Sequence, residues 1–292
     1  RRVMSLAEEL VAKIASIAYF RRKPSPKLLA LVADAAARYG IPGNLLLAVI
    51  FNESGFSESI PNFRKEPDSF AAQLKRNTNI PGTNQKWTDV YPIDKWGSGG
   101  PTQTLIYNVV GKPGGLKPGE WFDKLTLEMS IDLGARELRR CYDLMAEKPE
   151  ALRWYYAVAR YNGTGIKTLT GYVIHVASHL NALGAGAVLL TPEAIQAIRD
   201  NLPKAKADPK WKTQAVKWEA EFNQTVGKLT SEVGALPDDE PIERDSINGL
   251  LEAIQQAEME RDLDRVVELE AQLEALVADQ DETAAEADEG VA

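Results

Sequence analysis

Cysteine is nearly missing from this chain of 292 residues. Cys141 stands alone, which excludes an internal disulfide framework and any cysteine metal cluster, and leaves it reading as a small core residue on a helix. Histidine is almost as scarce. His175 and His179 are four apart on one helical face, the spacing of a zinc pair, but the glutamate of an HExxH motif is absent and no third ligand is evident. No metal and no other cofactor is expected. Apolar runs stop well short of the roughly 18 residues that a membrane-spanning helix needs, so no membrane span is expected. The first twenty residues carry too many charges for a signal peptide's apolar region. The chain begins at Arg1 rather than Met, so its compartment is not legible there. Strand-like alternation is also lacking, which predicts an all-α fold with at most a short hairpin within 80–112. The Gly-rich "GSGGP" at 97–101 lacks the Lys and Ser or Thr of a phosphate-binding loop, and reads as a wall where backbone approaches a ligand closely.

What is present is 44% hydrophobic residues, enough for a sizeable core, and a charge split in two. Residues 1–237 balance at +8 and residues 238–292 at −16. A mildly basic body suits an anionic polymer, while so acidic a tail argues against wrapping of nucleic acid, which is not expected as a partner.

Helical periodicity organises most of the chain. An amphipathic helix over 5–20 reads as an N-terminal docking element (1–24). A helix from Pro26 to the C-cap Gly40 follows, then a helix over 44–53 that is apolar all round and hence buried. Residues 56–100 are polar and rich in turn formers, with Trp87, Tyr91 and Trp96 interleaved; these aromatics either pin the loop to the body or stack on a ligand. Leu127, Ile131, Gly134, Leu138 and Cys141 mark the face of another helix. Pro149 starts the next, which ends at "ARYNGTG" (159–165), and residues 169–183 form one more, closed by Gly184. Thr191 and Pro192 start a short helix. Trp211, Ala215, Trp218, Phe222 and Val226 form a stripe at helical spacing that reads first as core or docking surface. These last two make an accessory segment, 191–237. Residues 234–241 read as a linker, and 238–292 as an acidic helical tail whose two short apolar registers suit a partner helix or helical hairpin.

One residue breaks the pattern. Glu53 ends the buried run "LLLAVI", where a carboxylate is costly unless it is paired, neutralised or used. Three separated pieces bear on this: "ESGF" at 53–56, "GPTQ" at 100–103 and "ARYNGTG" at 159–165. In that order, on a helical background, they resemble the soluble (SLT-type) lytic transglycosylases, related to goose-type lysozyme. The match places Glu53 with Ser54, Gly100 with Gln103, and Ala159, Tyr161, Asn162 and Gly165. "SIDLGAREL" at 130–138 keeps that family's Ile131, Gly134 and Leu138 but has Ser130 and Glu137 at two other positions. "GYVIHV" at 171–176 is similar to the helix that follows. The similarity covers residues 27 to about 183. Two departures stand out: the segment between Glu53 and Gln103 is longer than usual, and Pro101 and Thr102 replace small apolar residues.

The resemblance implies a lysozyme-like domain over 25–190 that cleaves the MurNAc–GlcNAc bond of bacterial peptidoglycan. Glu53 would be its catalytic acid and then base, giving a 1,6-anhydromuramoyl product. Apolar neighbours and a helix C-terminus both raise a carboxyl pKa, as that role requires. Gln103 and Tyr161 would line the cleft, binding sugar acetamides or positioning Glu53, Asn162 would shape its turn, and Ser54 would either touch substrate or only cap the helix; of the loop aromatics read above, Trp96 is the one taken as a candidate to stack on the glycan. Glu58, Glu66, Asp68 and Asp94 leave lysozyme-like hydrolysis open as a variant. Peptidoglycan glycan strands are then the expected partner, in the periplasm, the cell wall or a wall-penetrating phage virion. The competing expectation is an assembly protein of weak or no activity, with the N-terminal helix and acidic C-terminal helices as contact surfaces.

Overall fold

The computed structural model describes residues 14, 17–65 and 75–233, the last four as backbone. Among these residues the protein is largely helical, with a single small sheet of three strands. Helix α1, Pro26–Tyr39, starts on Ser25, whose Oγ accepts from the Leu28 amide at 3.1 Å, and stops at Gly40 in the left-handed region. Helix α2, Gly43–Ser54, buries every residue from Leu45 to Ile50. It is the central rod. Helix α5, Leu127–Asp143, packs on α1 and on α6, Glu150–Asn162; helix α7, Val173–Ala182, packs on α2 and is covered by α9, Lys212–Val233, with α8, Pro192–Ala207, against α9.

Residues expected to form one helix over 169–183 divide into a π-helical turn, Thr168–Tyr172, and α7. Gly171 lies in that turn with Trp218 packed directly on it: a Cβ there would lie 2.2 Å from the ring. The aromatic stripe is thus core. Ala215, Trp218 and Phe222 are buried in the same cluster as α2. Helix α8 is longer than the short helix expected, because Ala194, Ile198, Leu202 and Ala205 keep facing the core across Pro203. That burial outweighs the roughly 3 kcal/mol a helical proline costs. Of the expected N-terminal helix, only residues 14 and 17–20 are described. Ile14 and Phe20 are in the main core, and the Lys23 ammonium donates to the carbonyls of Ile14 at 3.0 Å and Ile17 at 2.5 Å. The linker and acidic tail, 234–292, lie outside the described residues.

The polar segment after α2 has a core of its own. Trp87 and Trp96, perpendicular at 5.6 Å between ring centroids, sit with Tyr91, Ile106, Val109, Phe122 and Leu133. The expected hairpin exists, β2 (Gly97–Gly99) antiparallel to β3 (Thr104–Leu105), and β1 (Arg64–Lys65) extends it outside the expected range. Strands of two or three residues carry no readable alternation. Two short helices, α3 (Trp87–Val90) and α4 (Ile106–Val109), flank them.

The β2–β3 turn is plugged into α5. A Cβ on Gly100, at φ +73°, would meet the Ser130 hydroxyl at 2.2 Å, and one on Gly134 would lie 2.4 Å from the Thr102 methyl. Thr102 Oγ1 bonds the Ser130 carbonyl at 2.9 Å, the Ser130 hydroxyl at 3.0 Å and the Thr104 hydroxyl at 2.8 Å, all buried. Polar side chains so enclosed are stable because each finds a partner. Gly134→Ala should therefore destabilise the protein by about 1–3 kcal/mol in urea unfolding, despite alanine's better helix propensity. An unchanged or raised midpoint would show that the turn is not seated on α5.

Candidate active site

Glu53 occupies the last turn of α2. The helix ends on Gly55, whose amide bonds the Phe51 carbonyl at 2.7 Å with φ +59°. Phe56 follows in the same left-handed region, φ +60°, at a cost of about 1–2 kcal/mol for a residue with a side chain. Burial offsets it: Phe56 is enclosed, its ring 4.8 Å from Phe51 and 5.5 Å from Phe20. The sharp turn leaves the Glu53 side chain inside, with the residue 8% exposed.

The carboxyl has polar partners. The Tyr172 hydroxyl donates to Glu53 Oε1 at 2.5 Å, and the Asn162 side chain also hydrogen-bonds to the carboxyl. Burial pushes the Glu53 pKa above its ordinary value; Tyr172, Arg64, Asn162 and Lys167 each pull it back, without overcoming burial. Arg64 also donates from Nη2 to the Glu53 carbonyl at 3.4 Å, answering the negative end of α2. Burial, with Glu53 adding to it, holds the Tyr172 and Tyr161 hydroxyls protonated well above the usual tyrosine range. The result is a carboxyl that favours its proton, beside phenols that keep theirs.

The other predicted residues divide. Tyr161 ends α6 against the same group, its hydroxyl donating to the Thr102 carbonyl at 2.8 Å and so tying the β2–β3 turn to α6. Asn162 is exposed and is the carboxyl's link to the surface. Gln103 is used internally. Its amide donates to the carbonyls of Asn62 at 2.7 Å and Gly100 at 2.9 Å and its Oε1 accepts from Ser98 at 3.2 Å, which holds it at φ +46°. Ser54 Oγ donates back to the Ile50 carbonyl one turn earlier at 3.0 Å, a bond within α2, while Gly55 caps the helix; Ser54 also borders a hollow of about 510 Å³ with Tyr19, Arg21, Arg22, Phe51 and Gly55. That hollow does not include Glu53. Trp96 requires a correction: it is 1% exposed, packed against Trp87 and Tyr107, and has no face open for a sugar to stack on. The loop aromatics pin the loop.

Several residues at or next to the carboxyl escaped the sequence reading, among them Arg64 and Lys167. Tyr172 lay within the quoted "GYVIHV", but as pattern and not as chemistry. Asn52 lay beside Glu53, and its side chain hydrogen-bonds Tyr172. Of the loop carboxylates, Glu58 is committed to α1, accepting from the Ser25 amide at 2.9 Å and hydroxyl at 2.8 Å. Asp94 is exposed on a 3₁₀ turn, and Glu66 and Asp68 lie outside the described residues. His175 bonds Glu221 through Nδ1 at 2.9 Å, whereas His179 bonds Tyr19 and Asn52, so the two histidines turn to different partners. Among the described residues no group of three or more His, Cys, Asp or Glu could hold a metal, and no helix is long and apolar enough to cross a membrane. No family model matches this chain, and comparisons with curated proteins and with solved structures found no match.

A raised carboxyl pKa is a stability statement. The Glu53 contribution is fully present below the ordinary carboxyl pKa of about 4.3 and is lost as pH rises through the raised folded value. Glu53→Gln should therefore melt above the wild type at pH 8, with the difference shrinking by pH 4. A difference equal at both pH values, measured by thermal unfolding, would contradict the raised pKa.

Proposed function

We propose that this protein is a lytic transglycosylase with a lysozyme-like helical domain, acting on the glycan strands of bacterial peptidoglycan. The observation that carries the reading is Glu53 itself: a buried carboxyl with a raised pKa, held by Tyr172 and Asn162, whose strongest charged neighbours are the cations Arg64 and Lys167. Ordinary retaining and inverting glycosidases need two carboxyl groups across the scissile bond. A transglycosylase needs one. Protonated Glu53 gives its proton to the glycosidic oxygen as the bond from the anomeric carbon to that oxygen breaks. The resulting carboxylate then takes the proton of the muramoyl 6-hydroxyl, whose oxygen bonds to the anomeric carbon. The 1,6-anhydro ring closes without water, and the carboxyl is protonated again.

Within this mechanism Tyr172 holds one carboxyl oxygen and stabilises the carboxylate that forms midway. Asn162 fixes the carboxyl at the surface where the sugar arrives. Tyr161, Gln103 and Thr102 fix the β2–β3 turn as one wall of the cleft, and their part is architectural. The basic body, +8 over residues 1–237, suits a polymer bearing carboxylates. Activity in this scheme falls as pH rises through the raised Glu53 pKa.

A second reading, a lysozyme-like assembly protein with weak or no catalysis, has its own support. Glu53 is only 8% exposed, Trp96 is enclosed and the Gln103 amide is taken up by backbone carbonyls. Product analysis separates the two. Purified peptidoglycan digested by the wild type and analysed by mass spectrometry should give 1,6-anhydromuramoyl ends, and Glu53→Gln should lose at least about 100-fold in rate. Reducing ends would replace transglycosylation with hydrolysis. No products from well-folded protein would contradict the transglycosylase reading and favour the assembly one.

A further inference from the structure

Glu53 is the buried inner end of a line of hydrogen bonds that begins at the surface, on Tyr19 of the N-terminal segment. The Tyr19 hydroxyl lies 2.8 Å from His179 Nδ1, and His179 Nε2 lies 3.3 Å from Asn52 Oδ1. Asn52 in turn bonds the Tyr172 side chain, and Tyr172 donates to Glu53 Oε1 at 2.5 Å. One assignment of protons satisfies every link. Asn52 Oδ1 can only accept, so His179 carries its proton on Nε2; Nδ1 is then an acceptor and Tyr19 the donor. The Asn52 Nδ2 is left for the Tyr172 phenolic oxygen, which frees the Tyr172 proton for Glu53. All four donors point the same way, so each polarises the next.

We propose that Tyr19, His179 and Asn52 are positioning residues that form a polarised strut from the N-terminal segment to the Tyr172–Glu53 pair, orienting Tyr172 and strengthening its bond to the carboxylate. The proposal rests on the reading of Glu53 as the catalytic carboxyl. Packing supports the strut along its length. The Phe51 ring stands perpendicular to His179 at 4.7 Å and to Phe20 at 4.7 Å, and Tyr19 packs edge-on against Phe20 at 5.1 Å. Burial, then the neighbouring His175, lowers the His179 pKa to about 4 while Glu221 opposes them, so the imidazole stays neutral and Nδ1 keeps its lone pair for Tyr19 well below neutral pH. Tyr19, Asn52, His175 and Glu221 are the polar and titratable groups against His179. At Glu53 they are Tyr172, Tyr161, Asn162, Arg64 and Lys167.

Tyr19 also lines both hollows on this side of the protein, one of about 510 Å³ with Arg21 and Arg22, the other of about 440 Å³ with Ser178, Glu221 and Lys228. The outer end of the strut is therefore accessible. Displacing residues 17–23 withdraws the Tyr19 hydroxyl and removes the first donor of the line.

The test reads the Glu53 pKa by carbon NMR titration of side-chain-labelled protein, with Glu53→Gln assigning the signal, alongside kcat and KM for wall cleavage. Tyr19→Phe keeps the ring packing and removes one hydroxyl. His179→Phe breaks two links, and His179→Gln restores the donor to Asn52. The strut predicts an upward Glu53 pKa in Tyr19→Phe and a larger one in His179→Phe, partly recovered in His179→Gln. It predicts kcat falling about fivefold per broken link with KM unchanged. A Glu53 pKa that does not move in folded His179→Phe overturns the strut. If the pKa moves but Glu53→Gln cleaves as the wild type does, the catalytic reading fails while the strut stands as a structural link.

Discussion

A carboxyl group at the end of a buried helix, bonded at 2.5 Å by a tyrosine from another helix, is the constraint on which the rest of the structure depends. An ionised carboxylate in such a place costs several kcal/mol unless its partners compensate. Here they compensate only in part, and the pKa stays raised. Tyr172, which supplies the main partner, closes a π-helical turn. The π-helical turn Thr168–Tyr172 shifts the register, and Trp218, lodged against Gly171, fills the space from behind. Single π turns inside helices are frequent at functional sites, and this one ends on the residue that bonds the carboxyl.

The same economy governs the opposite wall. The β2–β3 turn is rigid because Gly100 and Gly134 let it meet α5 without side chains in the way, and because Thr102, Thr104 and Ser130 satisfy one another inside. Thr102 and Ser130 were two of the departures from the family pattern in the sequence. In the fold they are bonded to each other at 3.0 Å, so each satisfies the other. Tyr161 then ties the turn to α6, and Asn162, next in the chain, reaches the carboxyl. Three distant segments are thereby held about one group.

Helices were legible in the sequence because their apolar spacing and caps are local signals. Ser25, Gly40, Gly55, Thr126 and Thr191 all stand at helix ends, where their chemistry places them. Glu53 was legible because a charge ending an apolar run conflicts with burial. Tyr172 and Asn52 were not, since their roles arise from contacts across 119 residues of chain or from an amide with no chemical signature of its own. Trp96 shows the opposite failure. Tryptophan commonly meets sugars, but the long segment after α2 folded around a core of its own and took Trp96 into it, while the Gln103 amide bonds the backbone carbonyls of Asn62 and Gly100. The two-residue strands were too short to leave any periodicity.

The central claim is that Glu53 delivers a proton to a glycosidic oxygen. A crystal structure of the Glu53→Gln protein with a peptidoglycan tetrasaccharide tests it most directly. The account predicts the scissile oxygen within about 3 Å of the residue-53 side chain, with Asn162 between that side chain and solvent. A glycan bound away from α2, or held only on the hollows beside Tyr19, would contradict it.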